Sequence, residues 1–226
     1  SPELSLTYDL FRMRYLLLCE RFDEVRDLKE KTWQLKDHFT DELYYYYLNF
    51  SGIYFFGLND FRKSLEYLKQ AEKEAERISL GDTSMAELYY QLALLNTHLF
   101  LVSSAMNYTY KALPIFDEHY NLERCADCHI LLGISNRRIR NYEQSVYHYE
   151  NALKLAKSTN NKQIVAVIYH NLGYVSASQG NSDKAIEYYK KCLNIDSSYI
   201  RSIYLIAKEY YKLDKLSEAK KWIEKG

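Results

Sequence analysis

Apolar residues recur with a helical period along nearly the whole chain, and the aromatics fall at i, i+3 and i+4, the spacing by which one helix face packs on a neighbour. A unit from Tyr169 through Val175, followed by Ala185 through Leu193, repeats in looser form elsewhere. Aligning on its small residue gives Met13, Gly52, Ala93, Gly133, Gly173 and Ala207, at spacings of 39, 41, 40, 40 and 34 residues. Twelve residues after each anchor stand Val25, Ser64, Ala105, Ser145, Ala185 and Ala219, of which Val25 fits least well. A small residue on each of two helices lets them approach closely, while Leu and aromatics fill the gap to the next pair. The pattern predicts an all-α chain of six helical hairpins, about 6–39, 45–79, 86–119, 126–159, 166–199 and 200–226, in one domain covering 1–226. Asn59-Asp60, Arg140-Asn141, Gly180 to Asp183 and Leu213-Asp214 read as turns inside hairpins, with side chains suited to capping the following helix.

Composition narrows the function. Only 7 Gly and 2 Pro among 226 residues leave few strand-edge and turn formers. With 47% hydrophobic and 27% charged residues and no apolar run near ~18 residues, a disordered tail and a membrane-spanning chain are both excluded. Thirty basic residues balance thirty acidic ones, so no net field draws the chain to nucleic acid or anionic lipid, and neither is expected as a direct partner. Four cysteines, Cys19, Cys125, Cys128 and Cys192, are too sparse for a disulfide framework and point to reduced thiols and the cytoplasm. The start carries no signal sequence and no initiator Met, and the chain is expected to be a trimmed piece of a longer protein.

The unit at Tyr169, Leu172, Gly173, Ala185 and Tyr189 resembles a tetratricopeptide repeat, with Ser176 in place of the usual first-helix Tyr and Ser197 in place of the closing Pro. The fold so implied is a right-handed superhelical solenoid of about six tetratricopeptide hairpins. The period near 40, with Glu42 to Phe56, Ala86 to Ala93 and Ser104 to Phe116, is similar to the Rap, NprR and PlcR group of peptide-sensing regulators over roughly residues 40 to 200. That resemblance implies a cytoplasmic domain of a Gram-positive quorum-sensing regulator that binds a short imported oligopeptide on its concave wall and switches a fused transcription-regulating output. Rap proteins place a three-helix bundle before the repeats, and NprR and PlcR a helix-turn-helix domain. Residues 4–39 read instead as a degenerate first hairpin, as in the NprR and PlcR branch, with the output domain expected upstream.

In this register the first helix of each hairpin lines the wall, with positions three and one before and one, four and five after the anchor pointing inward. The expected peptide-binding residues are Asn49, Tyr90, His98, Arg137, Arg138, His170, Asn171 and Tyr174. An Asn offers one donor and one acceptor to an extended backbone, and Asn171 matches an asparagine that anchors peptide backbone in Rap-type receptors. Arg137 or Arg138 suits an acidic side chain or a terminal carboxylate, while Arg140 falls in a turn. Asn96 and Asn136, three after their anchors, are either buried hydrogen-bonding groups or ligand contacts.

Other signals carry less. Cys125-Ala-Asp-Cys128-His129 spells the string that attaches c-type haem, yet it lies in an amphipathic helix and reads as two buried thiols with a packing histidine. No second ligand pair stands at metal spacing, so neither metal nor cofactor is expected. The run Tyr44 to Tyr47 lacks the basic stripe that nucleic-acid stacking needs and reads as hairpin core. Without a Ser-His-Asp or His-Glu-x-x-His arrangement or a phosphate loop, the chain is expected not to be an enzyme. The competing function is a protein-docking or dimerising scaffold without a small ligand. The carboxylate clamp of chaperone-binding repeats, Lys three before and Asn one after the anchor, is absent: those positions hold Leu10 and Arg14, Asn49 and Ile53, Tyr90 and Leu94, Ile130 and Ile134, His170 and Tyr174. Ile206, Leu216 and Trp222 near the last helix lack a later hairpin to cover them, which suggests a homodimer through terminal or outer hairpins.

Overall fold

The structure is a computed structural model and describes residues 2–225; Ser1 and Gly226, the outer limits of the expected single domain, lie outside the described residues. It is all helical, with no strand among the described residues. In chain order the helices are α1 (Pro2–Leu18), α2 (Phe22–Trp33), α3 (Asp41–Gly57), α4 (Phe61–Arg77), α5 (Asp82–His98), α6 (Val102–Glu118), α7 (Leu122–Arg138), α8 (Tyr142–Ser158), α9 (Lys162–Ser178), α10 (Ser182–Ile195), α11 (Ile200–Lys212) and α12 (Leu216–Lys225), with a 3₁₀ turn at Lys36–His38. Taken in pairs they form six helical hairpins of the solenoid class, as the repeat pattern requires. Packing gathers them into two compact units, Ser1–Ile115 and Phe116–Gly226.

In the first five hairpins the first helix begins four residues earlier than the small-residue pattern suggests, while α11 starts at Ile200 as expected, and the links explain the difference. Helices α3 to α9 are each 17 residues long and separated by three-residue links, apart from the four residues between α4 and α5. Asn59, Ser79, Phe100, Tyr120, Arg140, Asn160 and Gly180 each adopt a left-handed φ of 52 to 79° there. One residue later the amide reaches back five positions, as in Asp60 N to Phe55 O and Asn121 N to Phe116 O, both 2.9 Å, which closes the ended helix. That same residue then opens the next helix. The Asp60, Asn121, Asn141, Asn161 and Asn181 side chains accept the amides of Lys63, Arg124, Gln144, Ile164 and Lys184 at 3.1 to 3.4 Å. A stop and a start share one three-residue link, so no residues remain to lengthen the second helices.

The small positions act as the spacing implies. Ser64 Oγ donates to Gly52 O at 2.9 Å and Ser145 Oγ to Gly133 O at 2.8 Å, joining the helices of their hairpins where they come closest. A Cβ on Gly52 would stand 2.6 Å from Leu68, one on Gly133 2.6 Å from the Tyr149 ring, and one on Gly173 2.5 Å from the Tyr189 ring. In the first unit the core includes Leu6, Leu10, Met13, Phe50, Leu68, Leu88 and Leu92; in the second, Tyr149, Ile168, Val175, Tyr189 and Ile206. Among the described residues no helix is long and apolar enough to cross a membrane.

Candidate functional site

In the first unit, Asn49 sits one turn after Tyr45 on α3 and is buried. Its Nδ2 donates to the Tyr45 hydroxyl at 3.4 Å, while its Oδ1 is buried without a hydrogen-bond partner. Burial raises the Tyr45 phenol above its ordinary pKa, so it stays a neutral hydroxyl. Tyr90 is half-buried on α5, and His98, at the end of the same helix, is exposed and rests against the Phe56 and Phe61 rings at 5.0 and 5.5 Å.

In the second unit the first helices α7 and α9 touch directly. Arg137 and Arg138 occupy the last turn of α7, half-buried. The Arg137 guanidinium carbon lies 4.4 Å from the centre of the Tyr174 ring on α9, and its Nε is buried without a partner. Burial and the neighbouring Arg137 charge hold Arg138 below its ordinary pKa. His170 is buried, its Nδ1 2.8 Å from Ser202 Oγ and its ring 5.0 Å from that of Tyr199. Burial first, then the charges of Arg201 and Arg137, press this imidazole down to about 4, so it is neutral at pH 7. Asn171, beside it and half-buried, donates to Val167 O at 3.0 Å on its own helix.

Two residues escaped the sequence reading. In the sequence Tyr189 stands out only as a repeat-motif residue and Tyr149 not at all; both rings are fully buried, and both hydroxyls lack a hydrogen-bond partner. Each stands sixteen residues after its glycine anchor, where other hairpins carry Leu68 or Thr109. A polar atom at a position that leucine fills elsewhere was the available signal.

Asn96 and Asn136 resolve as buried groups that bond back to their own helices, donating to Leu92 O at 2.7 Å and Leu132 O at 2.9 Å. In the Cys-x-x-Cys-His string both thiols are buried, and burial pushes Cys125 up to about 11. His129 Nδ1 lies 3.0 Å from His148 Nδ1 on α8, and burial lowers the pKa of both rings. No group of three or more residues able to hold a metal occurs among the described residues.

Residues 124–198 and 200–226 match tetratricopeptide repeat family patterns. The transcriptional activator NprA of Geobacillus stearothermophilus is 36% identical over 208 residues, covering 89% of this chain and 51% of that protein. Response regulator aspartate phosphatase A of Bacillus subtilis (strain 168) is 28% identical over 245 residues, covering all of this chain and 64% of that protein. Among solved structures, NprR in complex with its cognate peptide NprX superposes with a TM-score of 0.84 at 25% identity, over 99% of this chain and 66% of the other. The chain thus spans between about half and two thirds of the relatives it matches.

These relatives correct the expectation that the chain is not an enzyme, because proteins E, A and H among the B. subtilis relatives are response regulator aspartate phosphatases. The chain covers only 54 to 64% of those phosphatases, and a search of its own residues for nucleophile triads, metal spacing and phosphate loops does not register that activity.

Proposed function

Since the chain is an all-α tetratricopeptide-type domain related to the Rap/NprR/PlcR quorum-sensing family, we propose that it is the peptide-sensing part of a regulator, binding a short imported oligopeptide along its first helices. The observation that carries this reading is the match of 99% of the chain to NprR holding its cognate peptide. The wall chemistry supports it. Taken unit by unit, each has a buried polar atom without a hydrogen-bond partner on a first helix: the acceptor Asn49 Oδ1 on α3 in the first, and the donor Arg137 Nε on α7 in the second. An extended peptide brings unpaired N–H and C=O groups and side-chain charges that satisfy such atoms.

Relatives with this domain include a transcriptional activator and aspartate phosphatases. The role proposed for this chain is therefore the sensing step, and the output, gene regulation or phosphatase activity, belongs to the whole protein. A peptide that binds one arrangement of the hairpins better than another shifts the population between them by its difference in affinity. The setting proposed is the cytoplasm, with no direct nucleic-acid contact from these residues.

A homodimer through a terminal hairpin is proposed alongside, on one observation. Tyr8, Phe11, Tyr15 and Leu18 form an exposed stripe along α1, 52 to 77% exposed, while Leu6, Leu10 and Met13 bury its other side. Sedimentation checks this: a dimer that Phe11→Glu dissociates supports it, and a strict monomer at high concentration refutes it.

The test of peptide sensing is thermal unfolding against pools of unmodified five- to eight-residue peptides. A bound peptide at ~100 times its Kd stabilises the folded chain by ~2.7 kcal/mol. A sequence-selective shift that is lost in Asn49→Ala or Asn171→Ala is the expected result. Silence across diverse pools moves the reading to a protein-docking scaffold.

A further inference from the structure

The second unit contains three hydrogen-bond donors that its own packing leaves unused, and they converge. The Tyr149 ring packs on the bare face of Gly133, with Cζ 2.7 Å from where a Cβ there would stand, and its buried hydroxyl is acted on by Arg137, one turn further along α7. The Tyr189 ring packs on the bare face of Gly173 in the same way, 5.7 Å from the His170 ring and next to Tyr174. Arg137 bridges the two, with its guanidinium over Tyr174 and its Nε unpaired. Arg137 acts on both phenols, and Arg137 and Ser145 approach the Tyr149 hydroxyl closely enough to favour its charged form, although neither contact meets both the distance and the angle of a formed hydrogen bond.

Leaving such groups unsatisfied costs free energy, and a phenylalanine would pack as well. Their surroundings state which partner they suit. Arg137, Arg138 and Arg201 are cationic. Glu209, the carboxylate that acts on Tyr189, is already held by Ser182 Oγ at 2.7 Å and Lys212 Nζ at 2.6 Å. Two hydroxyl donors and one guanidinium donor in a positive setting match the two oxygens of a carboxylate, which accepts several bonds and donates none.

We infer that Arg137 Nε, Tyr149 Oη and Tyr189 Oη form a seat for a carboxylate of the bound peptide, either its C-terminus or an Asp or Glu side chain. This rests on the peptide-sensing reading and deepens it by assigning the charge of the ligand and the residues that read it.

The experiment uses the whole chain and four synthetic pools of five- to eight-residue peptides: free or amidated at the C-terminus, each with or without Asp and Glu. Thermal shifts and titration calorimetry are read on the native chain, Tyr149→Phe, Tyr189→Phe and the double variant. Each lost hydroxyl is expected to weaken binding about tenfold, the scale of a hydrogen bond to a charged group, and Arg137→Gln more. Because the hydroxyls have no partner in the protein, the Phe variants should unfold at the native temperature or above it when no peptide is present. Loss of binding on amidation alone assigns the C-terminus, and loss in the acid-free pools alone assigns a side chain. Equal binding of the amidated, acid-free pool overturns the seat while the peptide reading stands. Unchanged affinity in the double variant also overturns it, as does a large drop in its unfolding temperature without peptide, since the hydroxyls would then be structural. Silence of the native chain toward all four pools overturns both readings.

Discussion

In the α3/α4 hairpin the bare face of Gly52 is covered by Leu68, and in the α7/α8 hairpin the bare face of Gly133 is covered by Tyr149. The rest of the contact is shared: glycine anchor, serine twelve residues on, and the serine hydroxyl on the glycine carbonyl at 2.9 and 2.8 Å. The comparison separates what the helix crossing needs from what it does not. Closing two helices over a glycine takes a side chain of suitable bulk, and leucine provides it with no polar atom to satisfy. The tyrosine provides the same bulk plus a buried hydroxyl that completes no hydrogen bond in the protein. The surplus atom marks function, and the shared atoms mark fold.

The sharpest way to break this comparison is to remove the bulk from both hairpins. Leu68→Ala should cost about 2–5 kcal/mol and Tyr149→Ala about 3–5 kcal/mol by urea unfolding. A cost near zero for either would show that the glycine face is not where the hairpin is held. Next in size is an acid effect specific to the second unit. His170 titrates near 6.5 when unfolded and about 4 when folded, so between these values the unfolded chain binds more protons. Stability is therefore complete above about pH 6.5 and declines as pH falls toward 4, by roughly 3 kcal/mol from this group. The two tryptophans let this be followed by region, because Trp33 belongs to the first unit and Trp222 to the second. Single-tryptophan variants should show the Trp222 signal lost at lower urea at pH 5 than at pH 7, and His170→Gln should make that dependence shallower, with His148 and His129 supplying the rest.

Smaller effects sharpen the contrast. Gly52→Ala and Gly133→Ala should each destabilise by about 1–3 kcal/mol, since the added methyl meets a fully packed side chain. Only the second should also weaken peptide binding, by displacing the Tyr149 hydroxyl. Smallest of all, Ser64→Ala and Ser145→Ala should each cost about 0.5–1.5 kcal/mol, equal within error, and leave binding unchanged. A binding defect in Ser145→Ala would mean that the crossing and the ligand wall are coupled, and the comparison would lose its force.

The fold was open to reading because close helix crossings demand small residues, and Gly52, Ala93, Gly133 and Gly173 recur at nearly constant spacing. The helix starts were less so. Asn121 and Asn161 cap at once the helix that follows, and the residues before them look like a long connection only until the left-handed turn at Tyr120 and Asn160 is seen. At the site, sequence identified the arginines and asparagines by chemical type but not their state. That Asn96 and Asn136 are spent on Leu92 and Leu132, while Asn49 keeps an unpaired oxygen, depends on side-chain torsions that no spacing encodes. Tyr149 and Tyr189 were hidden for the opposite reason: an aromatic at their position already has a sufficient explanation in packing.

The evenness of the links has a consequence for how such a chain changes length. Helix and link together advance about 20 residues, and each advance reverses the direction of travel. Losing or gaining one such step would exchange first helices for second ones in everything downstream, turning inward side chains outward. Losing or gaining two restores every later residue to its original side. Insertions and deletions between the left-handed turns are therefore subject to a parity rule: 40-residue changes keep every later helix as the first or second of its hairpin, and 20-residue changes do not.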